Sequence, residues 1–301
     1  MGCRTSAVVA AFWSAHRPSI AFPIWSALVP WSSLDSLGHI HETLAGDYYH
    51  EEFESVPEQT WSSATFFSAA VNGLLGLRLN TASNHAVFAP HLPPSCHEIS
   101  LRHVRIGSSD LQFALSTSLN EIKLKIQNSA APLKLTFDPK IPLGAQLGKA
   151  RFEGRSIPAV LEPHPQDTHA KVDVELPHGD SLLTVAYSGG VEIESPAQPV
   201  VAVGEASRGI KVTDVNLQGH TYTIDYDYLP AAGSMFQLYT PWTIEHAQGA
   251  RFEKSSPGRY KVVIDPSVPD TGKNGVPARQ SSGHVCAGNV AVISCRAGVL
   301  S

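Results

Sequence analysis

Charge is scarce in this chain: Asp, Glu, Lys and Arg make up 16% of its 301 residues, against roughly 25% in an average soluble protein. With 43% hydrophobic residues, the composition excludes whole-chain disorder. A formal charge of −5 and a pI near 6.3 offer no general attraction to phosphate backbones or anionic lipid, so a dedicated nucleic-acid binder is excluded. Lysine is missing before Lys123, and only four cysteines occur, Cys3, Cys96, Cys286 and Cys295. They stand too far apart for a C-x-x-C redox or zinc pattern and assign no compartment, leaving cytoplasmic and secreted or periplasmic locations both open. No stretch reaches the roughly 18 uninterrupted apolar residues of a membrane helix, because Pro18, Pro23 and Pro30 punctuate the N-terminal apolar region. Within it, residues 6–15 (SAVVAAFWSA), preceded by Arg4, imitate a short signal h-region.

Glycine and proline, by contrast, are plentiful at 23 and 22 residues, and such frequent breaks suit short strands better than long helices. Four of the five tryptophans, Trp13, Trp25, Trp31 and Trp61, fall before residue 80. There, residues 56–77 place Trp61, Ala64, Phe67, Val71 and Leu74 at the three- and four-residue steps of one helical face. Phe66, Ala69, Ala70 and Leu75 fill much of the remainder, which predicts a helix buried nearly all round. Ser55 and Glu58 form an S-x-x-E capping box with Pro57 in the first turn. Residues 24–37 read as a weaker helical segment kinked at Pro30.

From about Asn84 the period changes to two. Leu101, His103, Arg105; Leu111, Phe113, Leu115; Ile122, Leu124, Ile126; and Leu133, Leu135, Phe137 alternate with other residues between turn-rich segments. Residues 150–152, 156–161, 170–176 and 181–187 add strands, and some eight short strands in this region argue for an antiparallel β-sandwich. After the Pro-rich joint at 195–201, strands at 210–217, 221–228, 234–240 and 259–264 form a second, smaller β-unit. Beyond Pro266 periodicity fades, which predicts an irregular or disordered tail.

All seven acidic residues of the first 80 lie between Asp35 and Glu58, among Tyr48, Tyr49, Phe53 and Trp61. Carboxylates beside aromatic rings are what a sugar site uses, since rings stack on pyranose faces and carboxylates move protons to and from water and the glycosidic oxygen. A solvated acidic loop is the competing reading.

The stretch at residues 37–64, LGHIHETLAGDYYHEEFESVPEQTWSSA, resembles the signature closing the (α/α)6 barrel of glycogen-debranching and glucoamylase-like six-hairpin glycosidases. That signature runs G-x-x-x-E, a Gly-Asp two or three residues on and, after a loop, Q-x-W-S-x-A, represented by Gly38, Glu42, Gly46, Asp47, Gln59, Trp61, Ser62 and Ala64. Residues 88–107 and 166–180 are similar to the β-sandwich that follows the barrel in bacterial glycogen-debranching proteins. The resemblance spans roughly residues 20–265. It implies an α+β, mainly β chain: a helical remnant of the barrel at 1–80, a β-sandwich at 81–195, a smaller β-unit at 196–266 and an irregular tail at 267–301.

By that resemblance Glu42 is the general base that activates water in an inverting hydrolysis of α-glucosidic bonds, with Glu58 as the competing candidate. Asp47 holds a sugar hydroxyl or turns the loop with Gly46. Gln59 bonds substrate or satisfies the helix start. Trp61 is a sugar platform or, as its periodic position favours, core. The partner implied is an α-glucan oligo- or polysaccharide, with no cofactor, nucleic acid or membrane, and with self-association through the helical face.

A six-hairpin barrel takes twelve helices, and only two or three can be drawn, so most of the barrel and the general acid are missing from the expected architecture. Little or no hydrolysis by the chain alone follows. The alternatives are a non-catalytic β-sandwich module that packs on a barrel or binds carbohydrate, and an inactive product of a displaced start or altered frame. Among the histidines, the H-x-H pair His39 and His41 and the six-residue series His85, His91, His97 and His103 lack the helical i, i+4 spacing of a zinc site, so no metal is expected.

Overall fold

A computed structural model describes residues 2–33, 39–43, 55–56, 58–130, 132–196, 202–204, 209–229, 235–264 and 286–296. The chain is α+β and mainly β, with three α-helices among the described residues, followed by strands arranged in four sheets. Helix α1 (Gly2–Ser14), the segment that imitates a signal, instead buries Val9 and Trp13, four residues apart on one face. Helix α2 (Pro18–Leu28) opens on Pro18, whose missing N–H costs nothing in the first turn, and buries Ile20, Ala21 and Leu28. It runs into a 3-10 turn at Val29–Ser33, so the helix begins upstream of the expected 24–37 segment, overlaps it, and changes type next to Pro30; residues 34–37 lie outside the described residues.

Helix α3 (Thr60–Ala69), extended by one π turn at Ala70–Leu74, corrects the expectation for 56–77 in three ways. It starts at Thr60 with Gln59 as N-cap and no side-chain cap bond, so the capping box does not form. The Ser55 hydroxyl is used elsewhere, donating to Thr43 O (2.8 Å) and accepting from Thr43 N (3.1 Å). The buried face is Ser62, Phe66, Ala69 and Gly73, while Trp61 is 73% exposed and Phe67 61%. At Gly73 this face has no room for a side chain because α1 comes close: a Cβ there would lie 2.3 Å from the Trp13 ring.

Strands β1 (Leu77–Asn80), β2 (His85–Phe88), β3 (Glu98–Ile106), β4 (Ser109–Thr117), β5 (Glu121–Asn128), β6 (Leu133–Phe137), β7 (Lys140–Ile141), β8 (Gln146–Phe152), β9 (Arg155–Ile157), β10 (Val160–Pro163), β11 (Thr168–Leu176) and β12 (Gly179–Ser188) build the first sandwich. One sheet has the order β1-β2-β6-β11-β10 with β7 beside β11, and the other β3-β4-β5-β12-β8-β9. Pairing is antiparallel except between β2 and β6. The core is stitched by rings from both sheets: Phe88 stacks on Phe113 at 5.2 Å and lies 5.8 Å from Phe137. A bulge between Leu101 and Val104, with His103 at φ 58, shifts the phase of β3. Val104 and Ile106 therefore face the core, which partly buried Leu101 also touches, while His103 and Arg105 are exposed.

The second sandwich uses β13 (Glu192–Glu194), β14 (Gly209–Gln218), β15 (Thr221–Leu229), β16 (Met235–Tyr239), β17 (Thr243–Gln248), β18 (Ala250–Ser256), β19 (Arg259–Ile264) and β20 (Cys286–Arg296). Its sheets are β13-β16-β19-β18 and β14-β15-β20-β17. Strand β20 corrects the expectation of an irregular tail: it lies between β15 and β17 and pairs with both, and buried Ile293 joins a core of Tyr222, Ile224, Phe236, Leu238 and Val262. The apolar alternation in NVAVIS carries that strand, and Gly- and Ser-rich sequence before it masks the signal.

Tyr187, on β12, donates its hydroxyl to Ser118 O at 2.6 Å, and burial pushes its pKa up to about 12. An acid whose folded pKa exceeds its unfolded value of roughly 10 stabilises the fold fully below pH 10 and loses that contribution as pH rises through 12. Two units correspond to about 3 kcal/mol at most. Denaturant unfolding at pH 9 and pH 11.5 is expected to show a stability loss that shrinks in Tyr187→Phe; an equal loss in both proteins would refute the assignment.

Candidate functional site

Of the sequence-predicted site residues, Glu58, Gln59 and Trp61 fall at the start of α3. Glu42 is exposed, and its backbone N–H donates to Val56 O at 3.1 Å. Ile40 N donates to Ser63 Oγ at 3.3 Å, so the segment carrying Glu42 is fastened to the helix. Glu58 is exposed beside Gln59, the N-cap residue, whose carbonyl accepts from Ser63 N. Trp61 projects to solvent rather than into the core its periodicity favours. Asp47 lies outside the described residues, as does Pro57.

A different constellation is assembled in the interior, and sequence reasoning missed it. His16, His91, Asp167 and His169 bring one ligand atom each within 4.8 Å of one another. His16 occupies the turn from α1 to α2 at φ 54, a left-handed position that costs a non-glycine residue about 1–2 kcal/mol. His91 lies in the Pro-rich segment after β2, where its N–H donates to Leu74 O at 2.8 Å. Asp167 closes the tight connection from β10 to β11, in which His164 N–H donates to Asp167 O at 3.0 Å, and His169 is the second residue of β11. His164 stacks flat on His16 with ring centroids 3.4 Å apart.

Backbone carbonyls fix the imidazole tautomers. His169 Nδ1 lies 2.7 Å from Asp138 O, and His91 Nδ1 3.1 Å from Gly73 O. A carbonyl only accepts, so both Nδ1 atoms carry hydrogen, and in the neutral rings both Nε2 atoms present lone pairs. These point at Asp167 Oδ2, 3.7 Å from His91 Nε2 and 3.4 Å from His169 Nε2. All three atoms are buried and none makes a hydrogen bond. His16 Nδ1 reaches the other carboxylate oxygen at 3.0 Å. Three acceptors converging in a dry interior repel one another unless a cation lies among them.

A proton answers part of that demand. Burial opposes charge on His169, but the Asp138 and Asp167 carboxylates on either side of the ring outweigh it and push its pKa up to about 9. Burial, reinforced by the His169 charge, pushes His91 down to about 3. Asp167, although desolvated, is held below the usual carboxylate range by His16, which bonds its Oδ1, and by the adjacent His169 charge. Burial also lowers Lys140, whose ammonium pairs with Glu192, to about 8.

The cluster sits where all parts of the fold meet. Ser19 Oγ donates to Gln166 at 2.9 Å, Gln166 Nε2 donates to the Asp214 carboxylate on β14, Arg17 lies 3.8 Å from the same carboxylate, and Ser195 Oγ donates to Ser19 O at 2.8 Å. The adjoining cavity, lined by Pro18, His91, Lys140, Gln166, Asp167 and Glu192, has about 30 Å³. That admits one or two waters and no sugar ring. A sugar-sized depression of about 560 Å³ instead lies on the β3-β4-β5-β12 part of the first sandwich, lined by Arg102, Gln112, Lys125, Gln127 and Asp180. It offers polar groups, but its one ring, Phe113, is turned into the core.

The signal that could have found the cluster is local: residues 163–169, PHPQDTH, hold three of the five convergent groups, His164, Asp167 and His169. His16 and His91 stand at separations that no motif encodes.

No family model matches the chain, and no curated protein does. Among solved structures it is similar to an α-L-rhamnosidase from Dictyoglumus thermophilum, at 13% identity and a TM-score of 0.30 over 43% of this chain and 14% of that one. A GH127 β-L-arabinofuranosidase from Geobacillus stearothermophilus T6 aligns at 11% identity and a TM-score of 0.28, covering 78% of this chain and 34% of that one. A further glycoside hydrolase aligns at 10% identity and a TM-score of 0.31, over 85% and 40%. These neighbours are glycoside hydrolases at low identity, and the chain spans well under half the length of each.

Proposed function

We propose that this chain is the C-terminal part of a six-hairpin glycosidase resembling glycogen-debranching enzymes, with Glu42 as its water-activating base and no hydrolytic activity of its own. The observation that carries the reading is the outer face of α3. Trp61 and Phe67 on α3 and Val71 on its π turn are large exposed apolar side chains, and the short segment that bears exposed Glu42 is hydrogen-bonded to the same helix through Ile40 and Ser63. Barrel helices bury such a face against neighbouring helices, and only α1, α2 and the short turns accompany α3 among the described residues. The glycogen-debranching assignment rests on the Gly38–Glu42 and Gln59–Ala64 signature elements. Inverting hydrolysis needs a second carboxyl group that protonates the leaving oxygen about 6.5–9.5 Å from the base. A base alone leaves the glycosidic bond intact.

Maltoheptaose is expected to quench tryptophan fluorescence weakly, in the millimolar range, with the response lost in Trp61→Ala. Glycogen and limit dextrin are expected to release no glucose above the blank, with or without Glu42→Gln. Fluorescence indifferent to the sugar would remove the substrate face, and hydrolysis that survives Glu42→Gln would overturn the assignment of the base.

A further inference from the structure

We propose that His16, His91, Asp167 and His169 form a four-coordinate site for a zinc ion, closed by three imidazole nitrogens and one carboxylate oxygen, which locks the N-terminal helices onto the first sandwich. The donor set is the first reason. Imidazole with a carboxylate is a borderline-hard combination that suits Zn²⁺ and disfavours Ca²⁺ and Mg²⁺, which take oxygen ligands.

Spacing is the second. Metal–ligand bonds of 2.0–2.1 Å at tetrahedral angles put neighbouring ligand atoms about 3.3 Å apart. From Asp167 Oδ2 the separations are 3.4 Å to His169 Nε2 and 3.7 Å to His91 Nε2, while His16 Nδ1 lies 3.0 Å from the carboxylate's other oxygen. The longest separation in the set is 4.8 Å, and contraction around an ion falls to His16, the 24% exposed member on a turn.

Ligand orientation is the third. The two buried rings turn their Nε2 atoms inward because Gly73 O and Asp138 O hold the opposite nitrogens. Metal-binding histidines are fixed in this way by carbonyls or carboxylates behind them. Asp138 supplies both, with its Oδ1 also 3.5 Å from His169 Nδ1. His91 Nε2, His169 Nε2 and Asp167 Oδ2, all buried without a hydrogen-bond partner, are the atoms an ion would satisfy. With four protein ligands and an adjoining cavity of about 30 Å³, the site is closed and structural rather than catalytic. It is independent of the glycosidase reading, since it uses neither Glu42 nor α3's exposed face.

The test uses the full chain, stripped with chelator and titrated with Zn²⁺ against a chromophoric competitor. One equivalent is expected to bind tightly, with a raised unfolding midpoint. His16→Asn, the substitution least able to harm folding, is expected to weaken binding about 100-fold or more, while the exposed His39→Ala and His97→Ala variants leave it unchanged. In the unaltered chain, Co²⁺ is expected to give the intense visible bands of a tetrahedral site, which removes dependence on any variant's folding. Weak octahedral Co²⁺ absorption, no tight equivalent of Zn²⁺, or affinity untouched by His16→Asn would each overturn the proposal and leave a proton as the only cation of the cluster.

Discussion

Asp167→Ala is expected to lower the stability of the chelator-treated protein by about 3–5 kcal/mol, the usual consequence of removing one partner from a buried charged network. The carboxylate is 1% exposed and is the common neighbour of His16, His91 and His169. Without it His169 loses the counter-charge that favours its protonated form, and three imidazoles are left facing one another across a dry space. The loss is expected first where the cluster fastens the helices. Near-UV circular dichroism from Trp13 and Trp25, whose rings lie 6.3 Å apart, should therefore fade at lower denaturant than the far-UV signal of the sheets. A variant within 1 kcal/mol of the parent, with coincident transitions, would show that the helices are held by apolar contact alone.

Gly76→Ala is the second large effect. Gly76 lies between Leu75, the C-cap of the π turn that follows α3, and the start of β1, at φ +56, and a Cβ there would lie 2.0 Å from Ala89 O. The left-handed backbone alone costs a residue with a Cβ about 1–2 kcal/mol. The clash adds to it because the obstacle is backbone: Ala89 N–H donates to Gly76 O, and two residues on His91 N–H donates to Leu74 O. A total of about 3–4 kcal/mol is expected, which for a chain of this size lowers the thermal midpoint by roughly 10 °C. The shift also moves His91, so the zinc affinity should fall with the midpoint. A thermal midpoint within 2 °C of the parent would contradict the close approach.

The strands were the legible part of the sequence. Leu111, Phe113 and Leu115 or Ile122, Leu124 and Ile126 read inward at period two because each strand has one buried face. β18, residues ARFEKSS, was invisible because an edge strand buries little: only Ala250 is inside. α3 misled for the opposite reason. Its helical period was real, but periodicity marks a face without saying which way it points, and the small Ser62, Ala69 and Gly73 mark where α1 approaches. The histidine cluster draws on an N-terminal turn, a Pro-rich connection and a β10–β11 turn, separated by 75 residues or more between His16, His91 and Asp167. Only tertiary structure brings those together, whereas Glu42, Gln59 and Trp61 stand within 20 residues and could be proposed from spacing.

The position of β20 has a consequence for synthesis. It is made after every other described strand, yet it sits inside its sheet, separating β15 from β17. Until it emerges, both neighbours expose unpaired backbone edges, and the order in which they were made gives them no way to close. Translation interrupted before residue 286 would release a polypeptide whose first sandwich can mature while its second offers open edges to any passing chain.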